Sequence, residues 1–133
     1  MSAPVGATFA ATKLVVHDLE RMATFYCNVY GFEQTGRIQA DIAGEPIDEI
    51  FLGKDGETAG GLILMKYVDR AAPETGEAIL VFTTQDIDAL FDSVRAAGGG
   101  VYLAPYQSEA TPYKAGFTLD PEGHLIENVE IPA

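Results

Sequence analysis

The feature that most constrains this chain is that it runs through the same pattern twice. Val16-His17-Asp18-Leu19 opens one helical stretch and Thr84-Gln85-Asp86-Ile87 opens another, and each stretch stops at glycine. In the first, Leu19, Met22, Ala23, Tyr26, Cys27 and Tyr30 recur at three- and four-residue spacing, which places them on one helical face. Asp18 is the N-terminal cap and Gly31 the stop. In the second, Ile87, Leu90, Phe91, Val94 and Ala97 share a face, Asp86 is the cap, and Gly98-Gly99-Gly100 ends the helix.

Strands surround both helices in the same order. The first half reads as strands over Thr8–Val16, Phe32–Ile42, Ile47–Leu52 and Leu62–Val68, with turns at Gly44-Glu45-Pro46 and Gly53-Lys54-Asp55-Gly56. The second reads as Ala78–Thr83, Val101–Leu103, Ala115–Leu119 and Leu125–Ile131, with a turn at Asp120-Pro121-Glu122-Gly123 and a loop over Gln107–Pro112. The polar stretch Asp69–Gly76 links them. The expected class is α+β: two βαβββ modules, at about residues 8–68 and 77–131, within a single domain spanning 1–133. Each half alone is too small for a good core. A helix covers one face of each sheet, so the other face must be buried elsewhere or line a central cavity.

Composition removes several function classes. Twenty acidic and eight basic side chains give a formal charge of −12, a field that repels phosphate backbones, so no nucleic-acid partner is expected. No apolar run reaches the ~20 residues needed to span a bilayer, and no basic amphipathic helix suggests a membrane surface. Met1–Ala7 lacks the basic segment and long apolar core of a signal peptide, so a cytoplasmic location is expected. Cys27 is alone and cannot form an intrachain disulfide. The triple glycine follows a helix, whereas phosphate-binding loops precede one.

Two segments carry a family resemblance. Val16-His17-Asp18-Leu19 leads into Phe25-Tyr26-Cys27-Asn28-Val29-Tyr30-Gly31-Phe32, and Asp120-Pro121-Glu122-Gly123-His124-Leu125-Ile126-Glu127 turns into the last strand. Together with the repeat they resemble the vicinal oxygen chelate superfamily of glyoxalases, extradiol dioxygenases and bleomycin-resistance proteins, over about Thr8 to Glu130. The resemblance implies that fold and a homodimer. In metal-dependent members four strands each supply one inward ligand. Carried over, those positions fall at Ala11, Ile63, Ala78 and Glu127. One carboxylate among three hydrocarbons does not hold a divalent ion tightly, so no metal and no other cofactor is expected.

What remains is a candidate site for a small organic ligand. Glu127 shares its strand parity with apolar Leu125, Val129 and Ile131, and is a candidate base or acid, a ligand contact, or a relic of a ligand set. Lys13 shares parity with Ala11 and Val15; it could pair with Glu127, hold an anionic group, or cover apolar surface with its stem. Phe9, Phe82 and Phe117 are candidate pocket walls, Tyr67 a rim residue, and Tyr106 and Tyr113 flank a candidate lid. His17 and His124 sit at element ends, where exposure is expected. The leading expectation is a metal-independent small-molecule binding protein with a mainly apolar cleft. The alternatives are an isomerase, epimerase or lyase using Glu127 and Lys13 for proton transfer, and a structural subunit without a ligand.

Overall fold

A computed structural model describes residues 5–6, 9–54 and 57–133. The elements run β1 (Ala11–Val15), α1 (Leu19–Tyr30), β2 (Glu33–Ile42), β3 (Glu45–Lys54), β4 (Glu57–Tyr67), β5 (Leu80–Thr84), α2 (Ile87–Ala96), β6 (Gly100–Gln107), β7 (Lys114–Leu119) and β8 (Leu125–Glu130). They form two four-stranded sheets, ordered β1-β4-β3-β2 and β5-β8-β7-β6. In each, the first strand pairs parallel with the last and the other pairings are antiparallel. The two βαβββ modules are therefore present. The expected strand start at Thr8 and the centre of the expected turn at Asp55-Gly56 lie outside the described residues. The short strand expected over Val101–Leu103 continues to Gln107, carried on by its pairing with β7.

Both helices begin as their sequences require. Asp18 and Asp86 have extended backbones, and each carboxylate accepts from the backbone N–H three residues on, Arg21 and Ala89 respectively. That satisfies one of the donors a helix leaves open at its start. Gly31 ends α1 with φ 73°, a left-handed conformation that costs glycine little. Gly99 serves a different purpose. A Cβ there would sit 2.6 Å from the Leu119 carbonyl oxygen and 2.9 Å from the Phe25 ring, so its bare backbone lets the end of α2 approach β7 and α1.

The core lies on the helix side of both sheets. Leu14, Ile50, Leu52, Leu62 and Leu64 meet Leu19, Met22, Ala23, Phe25 and Tyr26 of α1, and Val94 and Ile126 of the second half join the same cluster. Each large side chain buried this way contributes about 1.5–3 kcal/mol. Tyr30 stacks on Phe82 with ring centres 3.7 Å apart, and Phe25 meets Tyr26 edge-on at 5.1 Å. The space between the two halves on this side is thus filled by side chains.

Polar groups lock the joint. The Tyr26 hydroxyl donates to Asp120 Oδ2 at 2.8 Å, and the Tyr30 hydroxyl donates to Asn128 Oδ1 at 2.7 Å. Burial pushes the Tyr30 hydroxyl pKa up to about 12, and burial followed by the nearby Asp120 charge raises that of Tyr26 further, so both remain donors. The turn before β8 clips onto the entry to α1: the Glu122 carboxylate accepts from the backbone N–H groups of His17 and Asp18 at 2.8 and 2.6 Å. His124 lies beneath it with Nδ1 2.7 Å from Asp120 Oδ2 and Nε2 3.3 Å from the Val15 carbonyl. The expectation that His124 is exposed is corrected: only 6% of it meets solvent. Asp120 lies in the same turn, but the Val15 carbonyl on the other side of the ring comes from the first half of the chain, which local reading does not bring near.

Candidate functional site

The faces turned away from the helices carry the candidate residues. Residues paired across a sheet share a face, so the register identifies each row. In the first half, β1 places Lys13 beside Ile63 of β4, which pairs with Phe51 of β3. In the second, β5 places Val81 beside Glu127 of β8, which pairs with Phe117 of β7. The two rows are equivalent under the repeat. Glu127 is thus half-buried between an aliphatic side chain and a ring, and next to it on β8 the buried Asn128 points into the helix-side core.

The structure brings Glu127 and Phe117 together but does not pair Lys13 with Glu127. Lys13 Nζ lies 2.7 Å from Glu49 Oε2 on β3. Glu49 is 3% exposed and is flanked in the sheet by Ile38 and Met65. Its Oε2 accepts no well-directed hydrogen bond, so the contact with Lys13 is an ion pair without hydrogen-bond alignment. Sequence reasoning passed over Glu49, although the signal was the one that picked out Glu127: an acid sharing parity with apolar neighbours, here Ile47 and Phe51.

Other candidates fall elsewhere. Phe82 is not on the outer face; its parity turns it into the core against Tyr30, Tyr26 and Phe32. The reason is that Leu80, Val81 and Phe82 are all apolar, so alternation cannot tell which side is buried. Ala78 precedes β5 and has the parity of Leu80, which faces the helix side. Seven residues before the cap Asp18 stands Ala11, and seven before Asp86 stands Ile79, so Ile79 is the equivalent outer-face position. Phe9 precedes β1 and is 71% exposed. Tyr106 pairs with Ala115 at the far end of β6, and Tyr113 closes the loop that follows; both are exposed.

Tyr67 ends β4 beneath Arg70, whose guanidinium carbon lies 3.9 Å from the ring centre. Together with Val15, His17, Pro73 and Glu74 they line a partly open cleft of about 400 Å³. Arg70 is committed to Glu45, and that pairing holds the Glu45 carboxyl below its usual range and the guanidinium above its own.

The outer-face donors do not suit a metal ion. The positions implied by the resemblance present Ala11, Ile63 and Glu127, and Ile79 is as poor a ligand as Ala78. Among the described residues, no three His, Cys, Asp or Glu side chains cluster closely enough to hold an ion. No helix among them is long and apolar enough to cross a membrane.

Comparison with known proteins agrees with this architecture. A lactoylglutathione lyase of Haemophilus influenzae is 33% identical over 132 residues, covering 90% of this chain and 89% of that protein. A lactoylglutathione lyase of Arabidopsis thaliana is 30% identical over 118 residues, and there the match covers 86% of this chain but only 41% of the plant protein. The chain thus spans less than half the length of that relative. Among solved structures, a glyoxalase family protein from Bacillus cereus superposes with a TM-score of 0.77 at 17% identity, covering 95% of both chains. The family description "Glyoxalase/Bleomycin resistance protein/Dioxygenase superfamily" matches residues 8–128, and with two βαβββ modules in the expected order the chain belongs to that superfamily.

Proposed function

We propose that this protein binds a flat, mainly apolar organic molecule on its outer faces without a metal, and that a second copy of the chain completes the cleft. The observation that carries this reading is the row Val81–Glu127–Phe117: one carboxylate set between apolar groups on an otherwise open face. Ile79 is 53% exposed, Val81 59% and Ile38 45%, so both outer faces leave hydrocarbon uncovered. Because each chain carries one face of each kind, a two-fold pairing that lays the first face on a partner's second face closes two equal clefts. Glu127 then orients a ligand hydroxyl or amine while the apolar walls supply affinity.

Titration with indole, a flat neutral probe, followed by amide chemical shifts tests the binding face. Perturbations centred on Val81, Phe117 and Glu127 support the cleft; shifts scattered elsewhere refute it. Sedimentation velocity should show a dimer. Dialysis against nickel or zinc should leave well below one ion per chain, and stoichiometric retention would contradict the metal-free reading.

The lactoylglutathione lyases among the relatives favour a second reading, an isomerase, epimerase or lyase in which Glu127 moves a proton; Lys13, held by Glu49 in the other sheet, is not its partner within the chain. In D₂O such an enzyme takes a proton from the carbon beside the carbonyl of a probe such as acetophenone and returns a deuteron. Wild type should then speed deuterium uptake and Glu127→Gln should not. Equal uptake by both proteins leaves binding as the function.

A further inference from the structure

We propose that Lys13, held in place by the buried Glu49, is the anchor for an acidic group on the ligand. The inference rests on the outer-face cleft described above and names the ligand class it takes: an apolar body carrying a carboxylate or a similar oxyanion.

The asymmetry of the pair carries the argument. The side chain of Glu49 is 4% exposed and that of Lys13 is 42% exposed, so anything settling on this face meets the ammonium and not the carboxylate. Glu49 sits in a row with Ile38, Met65 and Val15, where a hydrocarbon would pack at no electrostatic cost. The carboxylate instead holds the lysine against the sheet. Lys13 and Glu49 stand on β1 and β3 with β4 between them, so the lysine stem crosses the β4 strand to reach its partner. An ammonium has three donors, and its one contact with Glu49, to Oε2 at 2.7 Å, leaves two of them unused. Those donors remain for a ligand oxyanion, and a charge-assisted bond at a partly desolvated site is stronger than a neutral one. Lys13 is also the one cation among the outer-face residues that the register assigns to β1 and β4, on a chain whose formal charge is −12. Long-range attraction therefore does not bring acids to this protein, and local contact has to select them.

Amide and side-chain chemical shifts, read during titration with four probes, test the proposal: benzoate, phenyl phosphate, neutral benzamide and cationic benzylammonium. The expected result is that at least one acid binds about tenfold more tightly than benzamide, with shifts reaching Lys13, Ile63 and Met65. Benzoate and phenyl phosphate together separate a carboxylate from a phosphate ligand. Lys13→Met should abolish the preference. It also leaves Glu49 buried and unpaired, so the double variant Lys13→Met/Glu49→Gln, which carries no stranded charge, must abolish it too. In Glu49→Gln the Lys13 Cε–Hε resonance should move toward that of free lysine, which reports loss of positioning independently of fold stability.

Equal binding of benzoate, phenyl phosphate and benzamide on this face overturns the anchor and leaves the apolar cleft standing. Preference for benzylammonium overturns the sign of the argument. An acid preference that survives the double variant overturns the role of Lys13. An unmoved Lys13 resonance in Glu49→Gln overturns that of Glu49. If none of the four perturbs the outer faces, the cleft falls and the anchor with it.

Discussion

The two halves share one backbone plan and use it differently. Helix α1 sends Tyr26 and Tyr30 out of its own half to bond Asp120 and Asn128 in the other. At the position equivalent to Tyr26, α2 has Val94, which stays in the apolar cluster, and Phe91 packs over Gly116 of its own sheet. The outer faces diverge too. In the row Lys13–Ile63–Phe51 the charge is a cation on the edge strand, whereas in Val81–Glu127–Phe117 it is an anion one strand further in. The repeat therefore makes two equal scaffolds, one helix of which joins the halves, and the equivalent outer-face rows carry a lysine in one half and a carboxylate in the other.

The strongest way to break the joint is to remove its central acceptor. Asp120 is 3% exposed and serves the Tyr26 hydroxyl, the His124 ring and the backbone N–H groups of Glu122 and His124. Asp120→Ala should cost about 3–5 kcal/mol in urea unfolding. A loss below about 1 kcal/mol would mean that α1 does not depend on this contact with the second half. Tyr30→Phe keeps the stack on Phe82 but strands the Asn128 carbonyl, and should cost about 1–2 kcal/mol in the same measurement.

A smaller effect depends on pH. Burial works against the charged form of His124, but the hydrogen bond and charge of Asp120, with the Val15 carbonyl, outweigh it and raise the pKa above 6.5. A group raised on folding stabilises most below its unfolded pKa, and that contribution fades as pH rises through the folded value. Wild type should therefore exceed His124→Gln by most below about pH 6.5, with the gap narrowing as pH rises above it. A gap that widens with pH would show that His124 is held neutral. The smallest effect on the fold concerns the outer face. Val81→Asp should change unfolding free energy by about 0.5 kcal/mol or less, since Val81 is 59% exposed. It should nevertheless shift sedimentation toward monomer, and an unaltered dimer would place the interface elsewhere.

Much of this architecture is written in local chemistry. The helix caps Asp18 and Asp86, the stop at Gly31 and the strand order follow from spacing and residue type, because caps and amphipathic faces are decided within a few residues. Parity failed where alternation failed. The run Leu80-Val81-Phe82 is apolar throughout and hid the inward turn of Phe82, while the adjacent acids Asp48 and Glu49 point to opposite faces and hid the one that matters. The partner of Lys13 was missed for a related reason: Glu49 lies two strands away, and only the sheet order brings it near.

From sequence alone came the doubled βαβββ plan, the family resemblance and a carried-over set of four positions in which Glu127 is the one carboxylate. Tertiary structure alone decided that His124 is buried, that Phe82 belongs to the core and that Lys13 answers to Glu49. The division has one physical cause. Helix caps and strand faces are set by neighbours along the chain, whereas burial and ion pairing depend on which distant strand the register brings alongside.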